Sequence, residues 1–407
     1  MRLMKDSGVV WIGEIPENWI LRKGRSLYSI TTGKLDANAE DPDGEYPFFT
    51  CSMFPKRINT YSFNCEALLV AGNGLVGYTQ YYNGKFDAYQ RTYVLYDFCN
   101  VDPKFLKHYV SNNLTVEVAP KSVGSVIQFI KLGDLQDFSI VLPELNIQKA
   151  IADFLDRKCQ YINSIIEKTE KSIEEYRNLK QALITQAVTK GVRGDRSMKD
   201  SGIQWIGYIP EEWNIYRIGS LYEERKEQGN DSLPILTVSI NSGVSDRELS
   251  DEENDRIFVR SEDKTKYAKV YPGDLTYNMM RAWQGSFGAV RVEGMVSPAY
   301  VIAKPKQDLD SRYMEALLRT EAAKQEMKRY SYGIADFRLR LYWGYFKCIK
   351  VCLPPREEQK EIADYIDEKA KEIDDLINKK KTFLEELERF KKSMIYEYVT
   401  GKKEVAI

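Results

Sequence analysis

The chain has 407 residues, room for two or three ordinary domains, and its 59 Lys and Arg offset 60 Asp and Glu to leave a formal charge of -1. A near-neutral chain does not hold a polyanion by bulk charge, so any such binding requires segregated charge or the help of partners. No apolar run approaches the ~20 residues of a membrane span, and Met1-Arg2-Leu3-Met4-Lys5-Asp6 has no apolar stretch of signal-peptide type. A soluble, cytoplasmic chain without membrane contact is expected. The cysteines Cys51, Cys65, Cys99, Cys159, Cys348 and Cys352 form no C-x-x-C pair, which points to reduced thiols rather than zinc or a disulfide framework.

The first element is a turn-rich strap, Met4 to Tyr28, and it recurs without gaps at Met198 to Tyr222. Asp6-Ser7-Gly8 matches Asp200-Ser201-Gly202, and Trp11-Ile12-Gly13 matches Trp205-Ile206-Gly207. Ile15-Pro16-Glu17 and Trp19 match Ile209-Pro210-Glu211 and Trp213. The Gly and Pro punctuation predicts fixed turns, with the tryptophans as packing anchors.

The body that follows, roughly 25–141, reads as mixed α/β with short strands. Ala67 to Ala71 is an apolar strand and Gly72 to Gly77 a tight loop. Tyr78 to Tyr82 and Arg91 to Tyr96 are further strands, placed around an Asn83-Gly84 turn, a strong hairpin signal. Gly72 to Gly77 also matches G-x-G-x-x-G with Asp97 about twenty residues on. The helix that a dinucleotide site needs is absent, because Tyr78-Thr79-Gln80-Tyr81-Tyr82 reads as strand. The many tyrosines, 27 in all, are mostly explained by sheet packing.

Leu142-Pro143 opens a segment free of Pro and Gly for about forty residues and rich in helix formers. Ile162, Ile166, Thr169, Ile173, Tyr176, Lys180, Leu183 and Ala187 step by alternating four and three, a coiled-coil seam. Such a helix spans ~60 Å. After the second strap, the second body (roughly 219–351) predicts strands at Gly273–Tyr277, Phe287–Val292 and Pro298–Ile302 around the loop Asn278 to Gly285. Leu353-Pro354 then opens a second long helix with its seam at Ile373, Ile377, Lys380, Leu384, Leu387, Lys391, Met394 and Tyr398. Two equivalent units predict antiparallel packing of these helices on one another. Lys180 and Lys391 either fix register within the seam or lie at its edge with snorkelling stems. A plain structural coiled coil and a spacer between two bodies are both open readings of the helices.

The expected fold is therefore mixed α/β (α+β), two pseudo-symmetric bodies joined by two long helices packed as an antiparallel coiled coil. The boundaries are 1–143 for the first strap and body, 144–192 for the first helix, 193–353 for the second strap and body, and 354–407 for the second helix and tail. A shared frame with divergent bodies means that something general is held constant while something specific differs.

Catalytic constellations are missing. With His108 as the one histidine, Ser-His-Asp, Cys-His and multi-His metal sites are excluded. There is no G-x-x-x-x-G-K-[ST] loop and no Asn-Pro-Pro-aromatic motif. Glu262-Asp263-Lys264 after Asp255 is a faint nuclease-like pattern, better read as a surface charge cluster. No metal site is expected. Side chains able to make paired hydrogen bonds to base edges are the other functional candidates, since Arg suits guanine and Asn or Gln suits adenine. In the first body these are Arg57, Asn73, Gln90, Arg91, Lys121 and Gln128; in the second they are Asn278, Arg281, Gln284, Arg338 and Arg340. The first body has about equal numbers of each charge sign, so no face stands out electrostatically.

The duplicated strap and the two Leu-Pro-x₄-Gln-x₂-Ile-Ala helix openings resemble type I restriction-modification specificity subunits over essentially the whole chain. The resemblance implies two target-recognition domains, each reading one half of a bipartite asymmetric DNA site, and helices that set the spacing and dock two methyltransferase subunits. It implies further restriction/translocase subunits, with S-adenosylmethionine, ATP and Mg²⁺ bound on partners and no cofactor on this non-catalytic chain. Gln148 and Gln359, in the helix openings, match the family's frame. With Ile162, Ile166, Ile173, Tyr176, Leu183, Ile373, Ile377, Leu384, Leu387 and Met394 they are the expected partner-side and helix-packing residues. The alternatives are a metal-dependent endonuclease using Glu262 and Lys264, and a coiled-coil scaffold with no DNA role.

Overall fold

The computed structural model describes residues 2–119, 129–230, 232–250, 266–333 and 339–405. They fall into two compact units, one formed by the chain up to Glu170 together with Lys380 onward, the other by Lys171–Lys379. Lys121, Gln128, Arg338, Asp255, Glu262 and Lys264 lie outside the described residues.

In the first unit the strap pairs β1 (Met4–Asp6) with β2 (Glu14–Pro16), Asp6 facing Glu14. The D-S-G and W-I-G triplets explain themselves here. Asp6 Oδ1 accepts from Gly8 N at 2.9 Å, Ser7 N donates to Gly13 O at 3.0 Å, and Gly8 and Gly13 sit at φ +73° and +66°. Those are left-handed positions that glycine fills at least cost. β3 (Ile20–Lys23) then pairs antiparallel with β10 (Ser139–Leu142), closing the body onto its own stem. Between them β4 (Ser29–Thr32), β5 (Tyr46–Phe49), β6 (Lys56–Ile58), β7 (Phe63–Ala71), β8 (Thr79–Ala88) and β9 (Thr92–Tyr96) make one sheet in the order β4-β9-β7-β8-β5-β6. α1 (Pro103–Val118), capped by Asp102 with Pro103 behind it, and the short α2 (Leu132–Gln136) complete the body.

The Asn83-Gly84 turn does not form. Both residues lie inside β8, opposite Glu66 and Cys65 of β7 in a register that runs from Phe63↔Phe86 to Val70↔Thr79. Phe49, Phe63, Tyr82 and Phe86 pack together on one face, and that aromatic burial draws the strand straight through a local turn signal. The reversal occurs instead at Gly72–Tyr78, with Gly74 and Gly77 at φ +63° and +80°.

The second unit repeats the frame: β11 (Met198–Asp200) with β12 (Tyr208–Pro210), then β13 (Asn214–Arg217) with β22 (Lys350–Leu353). Its body is built differently. After α4 (Ile218–Leu221), the sheet β14-β21-β18-β19 contains Tyr222–Glu224, Tyr300–Pro305, Leu275–Asn278 and Phe287–Ala289. Two small ribbons accompany it: β15 (Val238–Ser239) with β16 (Gly243–Val244), and β17 (Ala268–Val270) with β20 (Gly294–Val296). Strands of two and three residues show no periodicity, so these ribbons leave no signal in the sequence. α5 (Ser311–Leu318), α6 (Glu321–Arg329) and α7 (Trp343–Phe346) pack beside the sheet.

The long helices are α3 (Leu145–Lys190) and α8 (Arg356–Val399). In the first unit they run antiparallel: Phe154 meets Tyr398 with ring centroids 4.5 Å apart, and Lys391 Nζ donates to Asn163 Oδ1 at 2.7 Å. In the second unit Lys180 Nζ reaches Asp374 Oδ2 at 2.6 Å, and Arg193 just past α3 forks onto Glu361, both bonds 2.9 Å. Lys180 and Lys391 thus each end on a polar partner of the facing helix. Ile162, Ile173, Ile373, Ile377 and Met394 are buried, and Ile166, Tyr176, Leu183, Leu384 and Leu387 half-buried.

Each body is tied to its long helix at equivalent places. Gln148 Oε1 accepts from Asp102 N at 2.8 Å while its Nε2 donates to Pro143 O at 2.9 Å. Gln359 Oε1 accepts from Asp310 N at 3.0 Å and its Nε2 donates to Pro354 O at 2.9 Å. Two turns further along the helix, Asp156 takes His108 Nε2 of α1 at 2.8 Å, and that bond holds its carboxyl below the ordinary value. Its counterpart Asp367 takes Arg312 of α5 at 2.9 Å.

The strap tryptophans differ. Trp213 Nε1 donates to Glu358 Oε2 at 3.1 Å, and Arg196 reaches Glu358 Oε1 at 2.6 Å, with Glu358 fully buried. Ile147 holds the equivalent place in the first repeat, and Trp19 Nε1 is buried with no partner among the described residues. Arg196 also holds Glu212 at 2.9 Å and the Lys190 carbonyl at 3.1 Å. Glu358→Ala is therefore expected to cost about 1–3 kcal/mol, mainly by leaving the buried indole N–H without an acceptor, and Glu358→Gln less; urea unfolding followed by circular dichroism checks both.

Candidate nucleic-acid interface

The polar candidates of the first body are partly gathered by the sheet. Asn73 lies in the β7–β8 loop, and Gln90 and Arg91 in the turn from β8 to β9. These connections meet at one end of the sheet: Gly72 N donates to Arg91 O at 3.0 Å and Thr92 N to Tyr89 O at 2.8 Å. Gln90 N donates to Leu35 O at 2.9 Å, so its backbone is fixed and its side chain is exposed. Arg91 is exposed as well, its carbonyl taken by Gly72 N and by Cys51 Sγ at 3.3 Å. Asn73 is half-buried. Arg57 stands apart from this group. It sits on edge strand β6, opposite Pro47, with Nε donating to Gly44 O at 2.9 Å.

In the second body Asn278, Arg281 and Gln284 lie on one tight connection from β18 to β19. Arg281 N donates to Asn278 O at 3.0 Å and Gln284 N to Arg281 O at 2.9 Å. Asn278 is already engaged: its Oδ1 accepts from Met280 N at 2.9 Å, and its side chain bonds the Tyr300 hydroxyl. Burial raises the pKa of that hydroxyl against the lowering pull of Asn278 and the Arg281 charge. Arg340 joins the group from far along the chain. It exchanges two 3.0 Å backbone bonds with Tyr332, while Leu341 N donates to Met279 O at 2.8 Å. Gln284 and Arg340 are exposed, Asn278 and Arg281 half-buried. Beside them Arg225, Gln228, Tyr267, Met279 and Tyr300 wall an open cleft, where Asp274 holds the Arg225 guanidinium through bonds of 2.9 and 3.2 Å.

Apolar residues also stand exposed on these edges. In the second body Tyr332, 71% exposed, stacks on Tyr345 with centroids 6.4 Å apart and planes 13° apart. In the first, Met53, Phe54, Leu75 and Phe129 are exposed near the same loops. Their signal in the sequence is a large apolar residue in a Gly-, Ser- or Pro-rich loop, where no core position accounts for it.

His108 is buried and committed to Asp156. Among the described residues no group of three or more His, Cys, Asp or Glu is placed to hold a metal ion. Nor is any described helix long and apolar enough to cross a membrane.

Residues 16–175 match the type I restriction modification DNA specificity domain. The chain is similar to the EcoDI specificity subunit of a type I restriction enzyme from Escherichia coli, 37% identical over 176 residues, which are 43% of this chain and 39% of that protein. It is also similar to the putative MjaX specificity subunit of Methanocaldococcus jannaschii, 25% identical over 237 residues, 51% of this chain and 54% of the other. The matches thus span between 39% and 54% of the length of these curated relatives. In fold the chain resembles one from a solved structure concerned with complex assembly and conformational transition of the type I R-M system. The TM-score is 0.69 at 14% identity, over 96% of this chain and 99% of that one. The chain is accordingly similar to type I restriction-modification specificity subunits, and the similarity to their DNA specificity domain covers residues 16–175.

Proposed function

We propose that this chain is the DNA-specificity subunit of a type I restriction-modification complex, in which each body reads one half of a bipartite asymmetric site. The observation that carries the reading is a glutamine joint made in both repeats, Gln148 with Asp102 and Gln359 with Asp310, around two bodies of different sheet order. A repeated frame suits two equivalent docking partners, and different bodies suit two different half-sites. Exposed Gln90 and Arg91 in one body, and Gln284 and Arg340 in the other, supply the donors and acceptors that base edges require.

On this reading the partners are double-stranded DNA, two methyltransferase subunits and restriction/translocase subunits in the cytoplasm. The long helices set the gap between the half-sites. The chain is non-catalytic, and S-adenosylmethionine, ATP and Mg²⁺ act on the partners. The near-neutral charge fits a reader whose grip on phosphates is shared.

Methylation mapping of DNA from cells co-expressing the chain with methyltransferase subunits is expected to give two short blocks separated by a fixed gap of unread bases. Exchange of residues 219–351 for another body is expected to change one block and leave the other. An assembled complex that yields no motif overturns the reading in favour of a scaffold without a DNA role. DNA cleavage by the isolated chain with Mg²⁺, abolished by Glu262→Ala, overturns it in favour of an endonuclease.

Single residues separate further. Arg91→Ala is expected to lower affinity for the mapped site by about tenfold or more, the size of one lost bidentate base contact. Arg57→Ala, which removes a side chain already bonded to Gly44 O, is expected to change affinity by less than about twofold. Titration of both assembled complexes against the mapped duplex tests the pair.

A further inference from the structure

Four segments end together at one end of the first sheet: 50–56, 72–78, 89–91 and 129–131. Backbone and amide bonds stitch them to one another. Leu75 N donates to Cys51 O at 3.4 Å, Ile130 N to Gly72 O at 2.8 Å, and Gln80 Nε2 to Ser52 O at 3.1 Å. The Ser52 hydroxyl is 2.8 Å from Thr50 Oγ1 and donates to Phe54 O at 2.9 Å, so the tip of the 50–56 loop is braced from within. These bonds leave the large apolar side chains outside. Met53 is 51% exposed, Phe54 77%, Leu75 46% and Phe129 55%. Single exposed apolar residues need no explanation, but four on segments bonded to one another mark a contact surface.

The charge of the same surface says what covers it. The four segments contain no Asp or Glu, and they contribute Lys56, Arg91 and Lys131. Glu40 engages Lys56 at 2.6 Å, while Lys131 stands 6.0 Å over the Phe129 ring. The four segments are themselves net positive, with Glu40 at their border on the connection that Gln90 N bonds through Leu35 O. Cations and apolar tips together on one edge suit a DNA duplex: cations meet phosphates, and apolar side chains meet thymine methyl groups or press on a base step.

We propose that Phe54, with Met53 beside it, is a specificity-determining DNA contact of the first body. Its ring enters a groove of the half-site addressed by Gln90 and Arg91, and packs on base edges there. This rests on the DNA-specificity reading above and adds an apolar component to it.

The test uses the full chain assembled with co-expressed methyltransferase subunits, a duplex carrying the mapped motif, and a duplex with the first block scrambled. Replacing both residues, Met53→Ser with Phe54→Ser, is expected to weaken binding to the motif duplex by about tenfold or more. Binding to the scrambled duplex is expected to stay unchanged, and Phe54→Tyr, which keeps the ring, to retain most of the affinity. Affinity of the assembled double variant within about twofold of the parent overturns the proposal. So does a double variant with the parent's circular dichroism that no longer assembles, which gives the surface to a protein partner. A parent complex with no sequence preference removes the specificity reading itself, and this contact falls with it.

Discussion

The structure of each repeat depends on one buried amide. Gln148 and Gln359 each accept from the backbone N–H of the aspartate that caps the body's helix, and donate to the proline carbonyl that opens the long helix. One side chain thereby joins the end of the body to the start of the stem. A buried amide left unsatisfied costs ~1–3 kcal/mol per group, so the two elements are held at one mutual position rather than in a range of them. This explains why the Leu-Pro-x₄-Gln spacing recurs: proline ends the strand, and the glutamine falls one turn into the helix, where its amide points back at that proline's carbonyl.

Around that fixed joint the two repeats use different chemistry. Asp156 and Asp367 occupy equivalent helix positions, yet one holds an imidazole, His108, and the other a guanidinium, Arg312, which also bonds Asp310 and Asp364. Glu358 satisfies the strap indole in one repeat, while Ile147 leaves it unpaired in the other. The frame is therefore maintained by geometry, with side-chain chemistry free to vary where it does not touch the joint. The bodies take that freedom furthest: among the described residues, one has six strands in a single sheet and the other a four-stranded sheet with two ribbons.

The same division decides which side chains this near-neutral chain leaves exposed. The strands and helices spend their apolar residues on the cores, and the connections at the sheet ends carry what is left exposed. In the first body the segments 50–56, 72–78, 89–91 and 129–131 hold cations and apolar tips; in the second, Arg281, Gln284 and Arg340 lie close to a stacked tyrosine pair. Positions on loops braced by hydrogen bonds present side chains in fixed places at little entropic cost on binding.

The sequence by itself determined the repeat, the straps, the long helices with their seams, and the mixed α/β character of the bodies, because these are written in turn residues and in local periodicity. It also located the loop at Gly72–Gly77 and the strand after it, from glycines that need positive φ and from apolar alternation. It misplaced the hairpin at Asn83-Gly84, where the aromatic face of Phe49, Phe63 and Phe86 outweighed a local turn signal. Tertiary structure alone decided that Asn73, Gln90 and Arg91 share an edge while Arg57 does not, and that Arg340 returns to Met279 and Tyr332. It alone decided where Lys180 and Lys391 end, and that Phe54 stands outside the core. These are contacts between residues far apart in the chain, and what fixes them is long-range strand pairing and burial, for which no local pattern of residues carries the information.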